Sequence, residues 1–365
     1  MNIIMKQNLC LIKKYKLFIS LLFIVSNIFT IANAGDKFDD LSFYDKNFLY
    51  YPGDKWQKID DPTKMGWSNK KLRTAKEYSN SIHSDAVVII QNGVIVDEWG
   101  KTNKRLKLHS VRKSIMSLMY GIGVDRGRID IKKTLKELGI DDRKKLTKKE
   151  KKATIQNLLQ ARSGIYHPAA YETKRMTKKR PKRGKYKPGT HWFYNNWDFN
   201  ALLTIYHQLM KQDFFKSFKK EIAEPLQLER FRLKDTKYHY ERHHSEHPAY
   251  RFKMTALDLA RIGLLVLREG RWKDKQLVSK SWIEESTKIH SIIKKKNPDR
   301  GYGYMWWYDE GVIYGSGTGG QRLFVVPALD LVVVHRVNTY TKKRLKSKKI
   351  WKLYSKIIKA SPSYQ

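Results

Sequence analysis

The sequence predicts an α+β protein, an α/β sandwich whose central antiparallel sheet is flanked by terminal helices and interrupted by a mostly helical insertion. Three observations carry this. β-rich segments occur at two distant places, about 86–96 and 302–334. Helical periodicity dominates the stretch between them, about 108 to 290. Amphipathic helical patterns border the β blocks, one following Ser68 and one from Arg344 to Ile358. With 41% hydrophobic and 12% aromatic residues in 365, the chain can bury a core despite 30% charged residues.

The amino terminus reads as a leader. Lys13, Lys14 and Lys16 precede an apolar run from Leu17 to Ile31, and Ala32-Asn33-Ala34 follows. This is the n-region, h-region and small-residue cleavage site of a signal peptide. The expectation is a signal peptide over 1–34, cleaved after Ala34, and a periplasmic or secreted protein; an uncleaved anchor is the alternative. One domain then spans 35–365, with sheet subregions at about 68–107 and 300–358 and a helical subregion at about 108–290. The single cysteine, Cys10, falls in the leader, so cleavage leaves no thiol, no disulfide and no cysteine nucleophile.

Ser68 caps an expected helix running to about His83, with Leu72, Ala75 and Tyr78 on one face. Ala86–Ile90, the Asn92-Gly93 turn and Val94–Val96 predict a hairpin, since both central residues of a type I′ turn need positive φ. Helices are expected at Ser114–Gly127, Ile155–Arg162, Asn200–Lys211 and Thr255–Arg268. Tyr302–Tyr308 reads as an aromatic strand, and Leu323–Val326 with Leu331–Val334 as a hairpin around Pro327 and Asp330. The tail helix presents Ile350, Trp351, Tyr354 and Ile358 on one face. Lys174–Lys187 reads as a solvated charged loop, or as a docking site for anionic material.

The net charge is +39, and about +35 without the four lysines of the leader. Such a surplus attracts anionic partners, here cell-envelope material, or simply spreads lysine over the surface. The basic residues are dispersed and no nucleic-acid motif is present, so no nucleic-acid role is expected. Membrane contact is expected only through the leader before its cleavage.

A serine hydroxyl needs a base within hydrogen-bond reach to act as a nucleophile. Ser-x-x-Lys at a helix start supplies one, because residues three apart share a helix face. The lysine must be neutral, which burial or nearby positive charge promotes. The pattern occurs at Ser68–Lys71, Ser110–Lys113, Ser217–Lys220 and Ser291–Lys294. Only Ser110–Lys113 opens a helix that then turns apolar, through Ile115, Met116, Leu118, Met119 and Ile122. The other three lie among charges: a surface helix start, a segment too basic to bury, and a solvated loop.

Beyond this pair, several segments fall in the order of a known superfamily. They are His109–Ser114 with Gly121-Ile122 and Asp125–Ile129, Thr154–Leu159 with Arg162–Ile165, Pro188-Gly189 with Tyr194–Asn200, Met254–Ala256 with Asp258–Arg261, Tyr302–Trp307, and Gly317–Gln321. Together they resemble the serine β-lactamase and penicillin-binding-protein superfamily over roughly 68 to 358. The resemblance is closest to the class C β-lactamase-like branch with its esterases, D-peptidases and 6-aminohexanoate-dimer hydrolases. It implies a β-lactamase/transpeptidase-like fold and an acyl-enzyme on Ser110, with Lys113 and Tyr194 sharing acid–base work. It also implies an oxyanion and substrate-binding group comprising Asn196, Ser316, Gly317 and Thr318, with Asn196 holding the lysine or a substrate amide, and no cofactor.

One departure narrows the substrate. The motif that carries Lys or His before Thr-Gly in the family aligns here with Tyr314-Gly315-Ser316, which has no cation. This disfavours β-lactam or D-Ala-D-Ala processing and favours a small-molecule or peptide-like ester or amide. Arg322 and His335 are candidates to compensate. The expected function is therefore an exported serine hydrolase of esterase or amidase type. A β-lactamase or D-Ala-D-Ala carboxypeptidase and a non-catalytic envelope-binding protein are the alternatives. His239, His243, His244 and His247 cluster with a His-x3-His spacing, but no apolar helix face supports zinc binding, so a loop over the pocket is expected and no metal. No G-x-S-x-G elbow and no complete glycine-rich phosphate loop is present.

Overall fold

Two β-rich blocks far apart in sequence meet in one eight-stranded antiparallel sheet. The computed structural model describes residues 49–294, 297–341 and 344–364; the expected leader lies outside them. Helix α1 (Asn69–Ser81) leads into hairpin strands β1 (Ala86–Gln91) and β2 (Val94–Gly100). The short strand β3 (Leu106–Lys107) precedes helix α2 (Arg112–Asp125). Helices α3 (Ile155–Leu159), α4 (Lys174–Lys179), α5 (Asn196–Met210) and α6 (Phe214–Phe218) follow, then strands β4 (Thr236–His239) and β5 (Ala249–Met254). Helix α7 (Ala256–Leu267), a small hairpin of β6 (Arg271–Trp272) and β7 (Lys275–Gln276), and helix α8 (Lys280–Thr287) complete the insertion. The second block comprises β8 (Ser291–Lys294), β9 (Asn297–Tyr302), β10 (Trp307–Asp309), β11 (Val312–Gly317), β12 (Gln321–Val326) and β13 (Leu331–Arg336), and helix α9 (Ser347–Ala360) closes the chain.

The sheet runs β2-β1-β13-β12-β11-β10-β9-β8, so the first hairpin adds to the last one through β1 and β13. Its central strands are buried on both faces, which explains their unbroken Val/Ile runs. Val88, Ile90, Leu323, Val325, Val332 and Val334 face the core built with α2 and α7. Val87, Ile89, Phe324, Val326, Leu331 and Val333 face α1 and α9. Ser68 caps α1 as expected, its Oγ accepting from the Lys71 amide at 3.3 Å. On α9 the buried face is Ile350, Leu353, Ile357 and Ala360, while Trp351 and Tyr354 lie beside it and pack on Phe324 at 5.2 and 4.7 Å.

Three expectations are corrected, and one is extended. Ser291–Lys294 is the edge strand β8, because Ser291 is buried and accepts a hydrogen bond from Arg162 at 3.2 Å. The aromatic run 302–308 is not one strand: Met305 takes φ +63°, and Tyr304, Met305 and Trp306 turn into the core between β9 and β10. The mostly helical insertion also contributes β4 and β5, which pair with β3 just before it in a second sheet. Residues 174–187 include α4, capped by Thr173, and Arg180 and Arg183 are tied to Glu172 and to buried Glu150.

Candidate active site

The turn that carries Ser110 is held between the two sheets. Leu108 donates to the Phe252 carbonyl of β5 at 3.0 Å, continuing the β3–β5 pairing up to the nucleophile. His109 then adopts φ +49°, a left-handed conformation, and reverses the chain. Ser110 falls in the 3-10 turn His109–Val111 that leads into α2. The fully buried Arg336 at the end of β13 fixes this approach. Its guanidinium donates to the carbonyls of Leu106 (2.8 Å), Lys107 (3.2 Å), Met254 (2.9 Å) and Thr255 (3.3 Å), and to Gln321 Oε1 (2.8 Å).

Lys113 lies in the first turn of α2, 1% exposed, with Nζ 3.0 Å from Ser110 Oγ. Its amine stands 4.7 Å from the Tyr194 ring centre and 4.8 Å from that of Phe199. It forms no ion pair among the described residues. Burial, aided by the positive charge of Arg112, pushes its pKa well below the ordinary lysine value. Of the four Ser-x-x-Lys copies, this one brings amine and hydroxyl together. Ser68 Oγ caps α1, buried Ser217 donates to Gln212, and Ser291 accepts from Arg162.

The Tyr194 ring stacks on Trp307 at 5.4 Å and meets Tyr302 edge-on at 6.0 Å. Burial pushes its phenol up to about 12, although a hydrogen bond with Ser110 and the charge of Arg112 pull the other way. Tyr194 is therefore a neutral hydroxyl beside Ser110 at neutral pH. Asn196 opens α5 next to it but does not hold the lysine: its Nδ2 donates to the Tyr171 carbonyl at 2.7 Å, and its buried Oδ1 has no partner. Asn200 similarly holds the Ala170 carbonyl at 3.0 Å. These bonds fix Tyr171 at φ +65°, with its hydroxyl 3.1 Å from His109 Nδ1. The other ring nitrogen of His109 is 2.6 Å from Thr339 Oγ1. Tyr171 was not legible in the sequence, whereas His109 and Arg112 flank Ser110 inside the motif.

β11 lies against the nucleophile turn through two glycines. A Cβ on Gly317 would stand 2.4 Å from the Leu108 carbonyl oxygen, and one on Gly315 would stand 3.2 Å from Ser114 Oγ and a Val111 methyl. Ser316, between them, points to the opposite face, where it pairs with Arg322 in register, so only its backbone borders the site. Thr318 is exposed in the turn that follows. Arg322 and His335 do not replace the absent cation. Arg322 donates to Ser347 of α9 at 3.0 Å and to the Gln321 carbonyl, and His335 is held by the Gly320 carbonyl and Ser84.

The histidine cluster divides. His247 is buried, 2.9 Å from Thr204 Oγ1. Glu241, His243 and His244 offer ligand atoms within 4.8 Å of one another at the surface, and Glu241 already engages His239 at 2.8 Å and His244 at 3.0 Å. His239 meets Tyr171 edge-on at 5.4 Å, which places this segment over the His109 side of the site.

Comparison with known proteins agrees with this geometry. The family model for Beta-lactamase matches residues 69–352. Among solved structures, a Bacillus anthracis protein assigned as a 6-aminohexanoate-dimer hydrolase is 20% identical, with TM-score 0.58 over 78% of this chain and 80% of that one. The octameric penicillin-binding protein homologue from Pyrococcus abyssi is 17% identical, with TM-score 0.60 over 80% and 78%. FmtA from Staphylococcus aureus is 18% identical, with TM-score 0.59 over 84% and 93%. At these identities the likeness is one of fold.

Proposed function

The chain belongs to the beta-lactamase family, and from that premise we propose that it is an exported serine hydrolase that cleaves an ester or amide through an acyl-enzyme on Ser110. The observation that carries the reading is Lys113 Nζ at 3.0 Å from Ser110 Oγ, buried and without a counter-charge. A lysine so placed is neutral at a lower pH than usual and accepts the serine proton as Oγ attacks the carbonyl carbon. Tyr194, raised to about 12, keeps its proton and relays one from the Lys113 ammonium to the departing oxygen or nitrogen. The backbone N–H groups of Ser110 and Gly317 receive the oxyanion. Water then attacks the acyl-enzyme with Lys113 again as base, releasing the acid and restoring Ser110.

The positions of Arg322 and His335 favour an ester or amide over a β-lactam or D-Ala-D-Ala peptide: Arg322 lies near Tyr314 on the face packed against α9, where it binds Ser347, and His335 is held by the Gly320 carbonyl and Ser84, so neither is turned to Ser110. Mature protein and its Ser110→Ala variant are compared with a fluorophosphonate probe, a nitrophenyl ester and nitrocefin. Labelling and ester turnover that vanish in Ser110→Ala are expected, with slow nitrocefin hydrolysis. Ester turnover that survives the substitution overturns the mechanism, and fast nitrocefin turnover favours a β-lactamase. Absence of labelling favours a non-catalytic envelope-binding protein. Export is checked by fractionating cells for a form shortened after Ala34.

A further inference from the structure

A cavity of about 270 Å³ opens beside the nucleophile turn, bordered by His109, Arg112, Tyr171 and the β3-β5-β4 sheet. Its charge is one-sided. Lys107, Arg112, Lys234, Lys237, Arg251 and Lys253 line it, and none of them forms an ion pair among the described residues. The one acid in the wall, Asp235, is occupied by Arg232 at 2.7 Å and Arg105 at 3.3 Å.

Two features show that this surplus is arranged. In the strand register Lys107 stands directly opposite Lys253, and Lys237 directly opposite Arg251. Like charges at opposed positions destabilise a sheet, and although the Tyr340 ring lies 4.1 Å from Lys107 Nζ and 5.8 Å from Lys253 Nζ, no carboxylate pairs with these cations among the described residues. Arg112 is the second feature. It is 1% exposed, packed on the Tyr250 ring at 4.8 Å and the Tyr171 ring at 5.5 Å, and shares one amine with the His109 carbonyl at 3.4 Å. Its Nε and Nη2 are buried without any partner. Buried guanidinium donors left open are costly, and a bidentate oxyanion satisfies them.

We propose that this cavity is a subsite for a phosphate group carried by the ester substrate, so that the enzyme acts on phosphate-bearing esters. The inference rests on Ser110 being the nucleophile of the hydrolase proposed above. Arg112 supplies the buried fork that fixes the phosphate next to Ser110, while the paired cations of β3, β4 and β5 draw it in. Tyr314 packs against Trp351 of α9 and does not line this cavity, so the subsite does not restore the cation absent there.

The test uses nitrophenyl esters alike except that the acyl chain ends in phosphate, carboxylate or methyl. The phosphate ester is expected to exceed the methyl ester in kcat/KM by about tenfold or more at low salt, a preference that falls as salt screens it. In an Arg251→Gln/Lys253→Gln variant the phosphate-to-methyl ratio drops toward one. In parallel, inorganic phosphate is titrated calorimetrically into Ser110→Ala, and binding is expected to be lost when the two substitutions are added. A ratio near one with the methyl ester still turned over overturns the subsite and leaves the hydrolase standing. Preference for the carboxylate ester overturns the phosphate assignment. Phosphate binding that needs Arg251 and Lys253, without turnover of any ester, supports the subsite and overturns the hydrolase.

Discussion

Arg112 and Lys113 are neighbours in the chain, each 1% exposed, and neither meets a carboxylate among the described residues. Two adjacent buried cations without counter-ions disfavour each other's charge, and burial together with the charge of Arg112 pushes the Lys113 pKa well below its ordinary value. The lysine is the group that yields.

Arg112→Gln therefore raises the pKa of Lys113. Burial remains the larger cause of its depression, so the shift is partial. Less of the lysine is then neutral at a given pH, and the acid-side limb of kcat/KM for an uncharged ester moves to higher pH. A pH–rate profile checks this; an unmoved limb would remove Arg112 from the activation of the nucleophile.

Lys113→Met should abolish turnover and yet stabilise the fold. In the native state the lysine releases its proton at a pH well below 10.5, whereas the unfolded chain binds it up to about pH 10.5, so the unfolded state binds more protons in between. A thioether of similar length removes that penalty and stabilises by about 0.5–2 kcal/mol at neutral pH. The gain shrinks as pH rises toward 10.5, because the wild-type penalty fades there. Chemical denaturation at pH 7 and pH 10 measures both, and a variant less stable than wild type at pH 7 contradicts the assignment.

Gly317 and Gly315 should respond unequally to alanine. At Gly317 the new methyl meets a backbone oxygen at 2.4 Å, which forces β11 away from the nucleophile turn. Displacing an oxyanion donor in this way is expected to lower kcat by about 100-fold or more. At Gly315 the contacts are side-chain atoms at 3.2 Å, which yield more easily, so a loss below about tenfold is expected there. Steady-state kinetics of the two variants with one ester settle the order; equal losses would argue against Gly317 as the donor.

The sequence was most informative where local chemistry dictates geometry. Asn92-Gly93 sits at φ +48° and +78°, as a hairpin with those residues requires. The Ser110–Lys113 pair was separable from its three copies because an apolar helix follows it. What was illegible depended on distant partners. β3 has two residues and becomes a strand through β5, nearly 150 residues later. Ser291 looked solvated because the arginine that buries it lies at 162. Arg183 is exposed, as a solvated loop implies, but its ion pair with Glu150 in another loop was not legible. Tyr171 enters the site through a left-handed conformation and an Asn196 bond that no local pattern announces.

The pairing of β1 with β13 has a consequence for synthesis. Ser110 and Lys113 leave the ribosome early, but the side chain that ties Leu106 and Lys107 in place belongs to Arg336, opposite Ala86 in the register. A nascent chain ending before β13 has β5 and β11 beside the Ser110 turn but lacks the guanidinium that ties Leu106 and Lys107 to Met254 and Thr255. Contacts of such long sequence separation form late and slowly. Hydrolytic activity is therefore expected only in chains long enough to pair β13, which nascent chains of graded length would show.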